Sequence, residues 1–358
     1  MTPVLKRIHH VEFAVGNAKQ AAYFYRQAFG FDQLAYRGPE TGHRDRASYV
    51  LRQGDIFLVL TTPLRHDDPL AVWLLLHGDG VCDIAFEVDD AAAAFALATG
   101  AGAAPLRAPA TQADALGSVA TAAIRAYGEV AHTFVARGGY RGFLPGFEAR
   151  EFKGRPTGLT CVDHIVGNVE DRQMDRWVRW YDRTLGLGRF VSYDDKDIST
   201  EFSALRSTVV ASADRGIKFP LNEPAEGRKK SQIQEFIDAN LTAGVQHLAL
   251  KTDDILATIA ALRANGVDFL PVPQGYYDRV WERVGAVKED RARVEDLRIL
   301  VDRDDTGYLL QLFTRPLQDR PTFFIEIIQR CGSESFGKGN FKALFETIEQ
   351  EQALRGNL

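Results

Sequence analysis

Three residues in the second half of the chain are of types that together could hold a metal. Eight histidines occur in 358 residues, and only His164 and His247 lie beyond residue 132. A single carboxylate, Glu326, interrupts the apolar stretch Arg320-Pro-Thr-Phe-Phe-Ile-Glu326-Ile-Ile-Gln-Arg330. That stretch has the aromatic and β-branched content of a strand. A lone Glu in a strand ordinarily faces solvent. If it is buried, its charge must be paired, neutralised by a proton or bound to a metal. Two imidazoles and one carboxylate on one side of a metal leave the opposite positions open. This is the ligand set of non-haem Fe(II) oxygen chemistry, which needs room for substrate and O₂.

Each histidine alone is as readily a satisfied core residue as a ligand. Their places in an internal repeat argue against coincidence. His10-Val-Glu-Phe-Ala-Val15 reads as a strand, followed by a helical face of Ala21, Tyr25, Ala28 and Phe29 and a stop at Gly30. The same plan returns with His164-Ile-Val-Gly-Asn-Val169, the face Met174, Trp177, Val178, Tyr181 and Leu185, and a stop at Gly186. Gly80-Val-Cys-Asp83-Ile-Ala-Phe precedes an Ala-rich helix ending at Gly100. Gly244-Val-Gln-His247-Leu-Ala-Leu precedes a helix over 255–265 and Gly266. Strand-rich, Gly-punctuated segments such as 47–60 and 207–221 fill the intervals.

The pattern predicts four strand–helix–strands units in an α+β fold whose curved sheets enclose a cavity. His164 and His247 then stand at equivalent places, each on the opening strand of its unit. Glu326 falls on the closing strand of the fourth unit. The N-terminal counterparts are His10, Asp83 and, in a register the sequence leaves open, Thr133, so no metal is expected there. The aperiodic segment 141–158 reads as a linker. It divides residues 1–150, without a metal site, from residues 151–358, which carry the chemistry.

Composition bounds the alternatives. With 43 Lys+Arg against 48 Asp+Glu the net charge is −5, and no long basic run suggests nucleic acid or an anionic membrane. Cys82, Cys161 and Cys331 are far apart, which fits a reducing compartment and no disulfide framework. Residues 1–7 have no apolar signal core, and no apolar run is long enough to span a bilayer. A cytoplasmic location is expected.

Seven segments carry a resemblance to the 4-hydroxyphenylpyruvate dioxygenase family of the vicinal oxygen chelate superfamily. They are Val162-Asp-His-Ile-Val-Gly-Asn-Val169, Phe219-Pro-Leu-Asn222-Glu-Pro, Lys230-Ser-Gln232-Ile, Gly244-Val-Gln246-His247, Leu310-Gln311-Leu-Phe313, Phe323-Phe-Ile-Glu326-Ile-Ile-Gln-Arg330 and Phe336-Gly-Lys-Gly-Asn340-Phe341-Lys-Ala-Leu-Phe-Glu346. The resemblance covers almost the whole chain. It implies paired βαβββ modules forming two open-barrel domains, with Fe(II) held by His164, His247 and Glu326. It further implies a polar lining of Ser207, Asn222, Gln232, Gln246 and Gln311 at the reacting centre, with Phe313, Phe324, Phe336, Asn340 and Phe341 against the substrate. The implied reaction takes 4-hydroxyphenylpyruvate and O₂ to homogentisate and CO₂ in tyrosine catabolism, the substrate supplying its own α-keto acid. A homo-oligomer, dimer or tetramer, is expected from the same resemblance.

Gln246 directly precedes His247, yet alternation along a regular strand puts its side chain on the opposite face. Near the C-terminus, Gly337-Lys-Gly339 reads as a flexible joint and Asn340 as a helix cap. Phe341, Leu344, Phe345 and Ile348 then form one apolar helical face that closes over the metal site. Two other readings stay open. Hydroxymandelate synthases share the substrate and the iron but carry an aliphatic residue at the position of Phe341. A non-catalytic aromatic-binding protein of the superfamily lacks the metal ligands.

Overall fold

One unit, a strand, a helix and three more strands, recurs four times along the chain. The computed structural model describes residues 1–194 and 204–357. The first copy is β1 (Arg7–Ala14), α1 (Ala18–Ala28), β2 (Asp32–Arg37), β3 (Arg46–Gln53) and β4 (Ile56–Pro63). Helix α2 (Pro69–His77) leads to the second, β5 (Gly80–Glu87), α3 (Ala91–Gly100), β6 (Ala104–Asp114), β7 (Gly117–Arg125) and β8 (Ala131–Ala136). Strand β9 (Glu148–Phe152) precedes the third, β10 (Leu159–Asn168), α4 (Met174–Leu185), β11 (Gly188–Tyr193), β12 (Ala204–Ala211) and β13 (Lys218–Ala225). After α5 (Gln232–Asn240) comes the fourth, β14 (Gly244–Thr252), α6 (Ile255–Ala264), α7 (Gln274–Val284), α8 (Arg291–Asp296), β15 (Leu300–Arg303), β16 (Tyr308–Phe313) and β17 (Phe324–Cys331). Helix α9 (Phe341–Leu354) ends the fold.

The helices of the repeat, α1, α3, α4 and α6, form where the sequence pattern placed them. Asn17 caps α1 by accepting from the amide of Gln20, and Ala18, Ala22, Tyr25 and Ala28 turn inward. Gly186 ends α4 in the left-handed conformation at φ 70°, where a side chain would be strained.

Two sheets result, ordered β6-β7-β8-β5-β1-β4-β3-β2-β9 and β11-β12-β13-β10-β14-β17-β16-β15. In each, the opening strands of two units pair antiparallel at the centre, β1 with β5 and β10 with β14. The closing strands flank them in parallel, β4 and β8 in one sheet, β13 and β17 in the other. Each sheet therefore has a local two-fold between its two units. The centre of the second sheet is covered on both faces, by α6 on β17 and by cavity-filling side chains opposite. That double burial is why β17 reads as a continuous apolar run.

Three details differ from the sequence reading. The segment 141–158 contains β9, an exposed edge strand on β2 with no alternation to betray it. The strand read from Arg320 begins at Phe324. Helices α2, α5, α7 and α8 lie in stretches where no helix was expected. No described helix is long and apolar enough to cross a membrane.

Candidate functional site

Three neighbouring strands deliver the three residues. His164 on β10 pairs with Ala249 on β14, and Ala249 pairs with Glu326 on β17. Side chains paired across a sheet share a face, so the imidazole and the carboxylate meet over Ala249, the smallest residue that keeps the strand regular. His247 pairs with Phe324, one pleat along on the same face. The potential ligand atoms of His164, His247 and Glu326 all lie within 4.8 Å of one another, and all three residues are buried. Nε2 of each histidine is 3.3 Å from Oε2 of Glu326.

The electrostatics are those of a compact mixed-charge site. Burial works against the charge of Glu326, but His164 and His247 hold its carboxyl down at about 2. His164 is likewise opposed by burial, yet Glu326 and Asp163 raise it above its ordinary value. His247 is lowered, burial outweighing Glu326. The two imidazoles differ because different groups stand behind them.

A pair of β-bulges sets those groups. Val162 pairs with Leu250 and His164 with Ala249, so Asp163 is an extra residue on β10. Val166 pairs with His247 and Gly167 with Val245, so Gln246 is an extra residue on β14. A bulge re-aims one side chain and breaks alternation locally. Gln246 therefore enters the cavity beside His247, correcting the expectation that it faces away; its Oε1 lies 3.0 Å from His247 Nδ1. Asp163 Oδ1 lies 2.8 Å from His164 Nδ1. Both partners accept, so each imidazole donates from Nδ1 and turns its Nε2 lone pair inward, as a metal ligand must.

Asp163 is itself engaged on both oxygens by Arg330, whose Nε and Nη2 each donate at 2.8 Å. Removing either partner of so buried a pair leaves an uncompensated charge, at a cost of about 3–5 kcal/mol. Arg330 Nη1 donates to the carbonyls of Ser333 (3.2 Å) and Ser335 (2.6 Å). The next residue, Phe336, stands edge-on to the His164 ring, centroids 5.0 Å apart.

One cavity opens from the triad. Its lining includes Ser207, Asn222, Gln232 and Gln246 among polar residues and Phe313, Phe324, Phe336 and Phe341 among aromatic ones. Ser207 and Asn222 pair across β12 and β13, so both project to the same side. Phe324 stacks on His247, centroids 4.6 Å apart at 20°. Phe341, Leu344, Phe345 and Ile348 cover the opening from α9.

Two of the sequence candidates stand outside that lining. Gln311 is buried behind the Gly337 turn, where its amide has no hydrogen-bond partner among the described residues. Asn340 is fully buried and its side chain does not cap α9; instead Oδ1 accepts from Tyr276 (2.7 Å) and Arg283 (3.3 Å). A 3₁₀ turn over Lys338–Asn340 leads into α9, and Asn340 has helical backbone angles (φ −97°, ψ −14°) instead of the extended ones a capping residue adopts. The sequence reading also missed Tyr193, Leu205 and Val209 in the lining. Leu205 and Val209 flank Ser207 at spacing two on β12 and follow from it by alternation. Tyr193 carried no such signal.

The N-terminal sheet repeats the architecture with other chemistry. His9 and Cys82 are extra residues at the matching bulges, and Thr133 pairs with Ala85 as Glu326 pairs with Ala249. Here the equivalent places hold His10, Asp83 and Thr133, with the Arg107 guanidinium bonded to Thr133 (2.7 Å) and 3.4 Å from Asp83.

The fold and this site define a class. The family model of the Glyoxalase/Bleomycin resistance protein/Dioxygenase superfamily matches residues 162–312, and a second model of that superfamily matches residues 9–121. The chain is a member of that superfamily. An engineered mutant of 4-hydroxymandelate synthase from Streptomyces coelicolor superposes with a TM-score of 0.88 at 34% identity, covering 98% of this chain and all of that one. A fusion of a xylose isomerase-like TIM barrel with 4-hydroxyphenylpyruvate dioxygenase shares the fold at a TM-score of 0.77 and 23% identity, covering 98% of this chain and 53% of that one. Sequence similarity narrows the class further. The 4-hydroxyphenylpyruvate dioxygenase of Caenorhabditis elegans is 52% identical over 98% of this chain and 92% of its own. That of Danio rerio is 49% identical over 98% and 91%. The chain belongs to the 4-hydroxyphenylpyruvate dioxygenase family.

Proposed function

We infer that this protein is an Fe(II)-dependent dioxygenase that converts 4-hydroxyphenylpyruvate and O₂ to homogentisate and CO₂. The observation that carries the reading is the buried His164–His247–Glu326 triad opening into an aromatic-walled cavity. The donor set suits the ion: two neutral nitrogens and one ionised carboxylate, each histidine tautomer fixed from behind. His164, His247 and Glu326 would hold the ion, and Fe(II) bound there would supply the one-electron chemistry that lets O₂ react with a keto acid and an aromatic ring.

The chain's residues do the rest. Phe313, Phe324, Phe336 and Phe341 give the phenyl ring flat apolar surfaces and exclude water from a strongly oxidising reaction. Ser207, Asn222, Gln232 and Gln246 offer the few polar contacts that fix the carboxylate and the phenol. Holding the ring within reach of the metal sets which carbon is oxidised. We place this chemistry in residues 151–358, with residues 1–150 as a module without metal, and expect a cytoplasmic homo-oligomer whose size light scattering measures.

The 4-hydroxymandelate synthase reading draws on the structural likeness above, at lower identity than the dioxygenases. Oxygen uptake with 4-hydroxyphenylpyruvate, followed by chromatography of the product, separates the two. Homogentisate supports the reading; hydroxymandelate as the main product replaces it. An absolute requirement for added 2-oxoglutarate would refute both.

A further inference from the structure

We propose that Asp163 and Arg330 act as one positioning unit that ties the orientation of His164 to the seating of the Phe336 wall. The proposal rests on the reading of His164 as a metal ligand, and goes beyond it by assigning a role to two residues that neither bind the metal nor line the cavity.

Three observations carry it. The first is saturation. Asp163 is 7% exposed, and its two oxygens receive His164 Nδ1 and two nitrogens of Arg330, with Lys218 Nζ 3.5 Å away. Such a carboxylate has almost no freedom left, and the imidazole it holds has one orientation. The second is reach. The third nitrogen of Arg330 holds the carbonyls of Ser333 and Ser335, and its guanidinium carbon lies 5.4 Å from the Phe336 ring centroid. Phe336 in turn packs on His164. A closed circuit runs from His164 through Asp163, Arg330 and the 333–335 turn to Phe336 and back to His164. The third is asymmetry. The matching bulge residue behind His247 is a neutral amide, Gln246, with no arginine bonded to it among the described residues. The charged circuit is therefore a feature of one ligand rather than a requirement of the bulge.

The circuit makes the metal site and the substrate wall interdependent. A turn that shifts Phe336 must also strain the Arg330 bonds, and through them the ring that presents Nε2.

Cobalt(II) binding to the metal-free full-length protein tests this without reference to turnover. Titration by calorimetry gives affinity, and the visible ligand-field bands report the geometry around the ion. Asp163→Asn and Arg330→Leu should each weaken Co(II) binding by roughly ten- to a hundredfold and shift the bands. The double variant Asp163→Asn/Arg330→Leu should lose no more than the worse single one, because one circuit can be broken only once. Gln246→Ala should cost less than Asp163→Asn. Circular dichroism of the metal-free proteins checks folding. If a single variant unfolds, the double variant, which removes both members of the Asp163–Arg330 pair and leaves only Lys218 without its carboxylate, carries the test. Wild-type affinity and bands in Asp163→Asn or in the double variant would overturn the proposal, as would losses that add. Undiminished binding in His164→Ala would instead bring down the triad assignment on which it rests.

Discussion

The side-chain oxygen of Gln246 lies 3.0 Å from Nδ1 of His247, although the two residues are neighbours on one strand. In a regular strand they would face opposite sides of the sheet. The bulge that brings them together recurs at His9, Cys82 and Asp163, once on the opening strand of every unit. The repeat thus conserves a backbone device, an extra residue just before the position that points into the barrel. What each copy does with it depends on the side chains installed there: a carboxylate and an amide behind two histidines in one sheet, an imidazole and a thiol in the other.

The metal assignment gives the first prediction. His164→Ala, His247→Ala and Glu326→Ala should each lose metal retention and lower turnover by more than about a hundredfold, since losing only a group hydrogen-bonded behind a ligand already reaches that range. His10→Ala should keep its metal, because the guanidinium of Arg107 stands with Asp83 and Thr133 in the equivalent place. Elemental analysis of the purified variants decides it, and full metal in His164→Ala would refute the triad.

Much of this was legible in the sequence, for physical reasons that also mark where legibility ends. Helical faces such as Met174, Val178, Tyr181 and Leu185 announce themselves because period 3.6 must be kept to bury one side. The two histidines stood out because the repeat put them in equivalent places. The bulges did not, since one extra residue leaves no compositional mark: His9, Cys82, Asp163 and Gln246 are four different types in one structural role. Nor did the Asp163–Arg330 pair, whose partners are 167 residues apart and meet only when β10 and the end of β17 share a sheet. Asn340 read as a cap from its type alone, but tertiary partners, Tyr276 and Arg283, claimed its side chain instead.

Gly337 should not tolerate a side chain. Its φ is +77°, and a Cβ there would come 2.3 Å from Nε2 of the buried Gln311 amide. The left-handed backbone alone costs about 1–2 kcal/mol for a non-glycine residue, and the contact must displace either the buried Gln311 amide or the turn itself. Phe336 precedes this residue and the chain enters α9 just beyond it, so a strained turn disturbs both walls of the cavity. Gly337→Ala should lower kcat/KM for 4-hydroxyphenylpyruvate by about tenfold or more, tenfold being ~1.4 kcal/mol of barrier. Steady-state kinetics check it, and wild-type values would show that the turn is slack.

Asp83 predicts a pH dependence confined to the N-terminal sheet. Burial pushes its carboxyl up to about 6, against the pull of Arg107 and Thr133. An unfolded carboxylate titrates near 3.9. Because the folded value is the higher one, the folded state favours the protonated form. The associated stability is complete below about pH 4 and is lost as pH rises through about 6. Roughly two pKa units correspond to about 2–3 kcal/mol. Asp83→Asn, neutral at every pH, should lack this decline. Urea unfolding of both proteins between pH 4 and pH 8 measures it, and parallel curves would refute the raised value.

Product choice is expected to turn on Phe341. Its ring is the first of α9 and lines the cavity, edge-on to Tyr193 with centroids 5.4 Å apart and 6.5 Å from Phe345. Three aromatic rings thus brace one another into a broad wall, so the position of Phe341 is set by Tyr193 as well as by the helix. In 4-hydroxyphenylpyruvate the ring carbon bearing the side chain and the adjacent methylene are bonded neighbours, so an oxidising centre that reaches one is close to the other. A difference of ~1.4 kcal/mol between the two barriers already gives a tenfold preference. Phe341→Ile removes the ring that braces Tyr193 and opens space on that side. The substrate ring can then tilt, bringing the methylene closer to the metal. The expected outcome is homogentisate from the wild-type protein and a mixture with 4-hydroxymandelate from Phe341→Ile. Tyr193→Leu should move the product ratio in the same direction by a smaller factor, because it loosens Phe341 without removing it. Chromatography of the products from all three proteins is the measurement. An unchanged ratio in Phe341→Ile would remove this wall as the steering element while leaving the dioxygenase activity itself untouched.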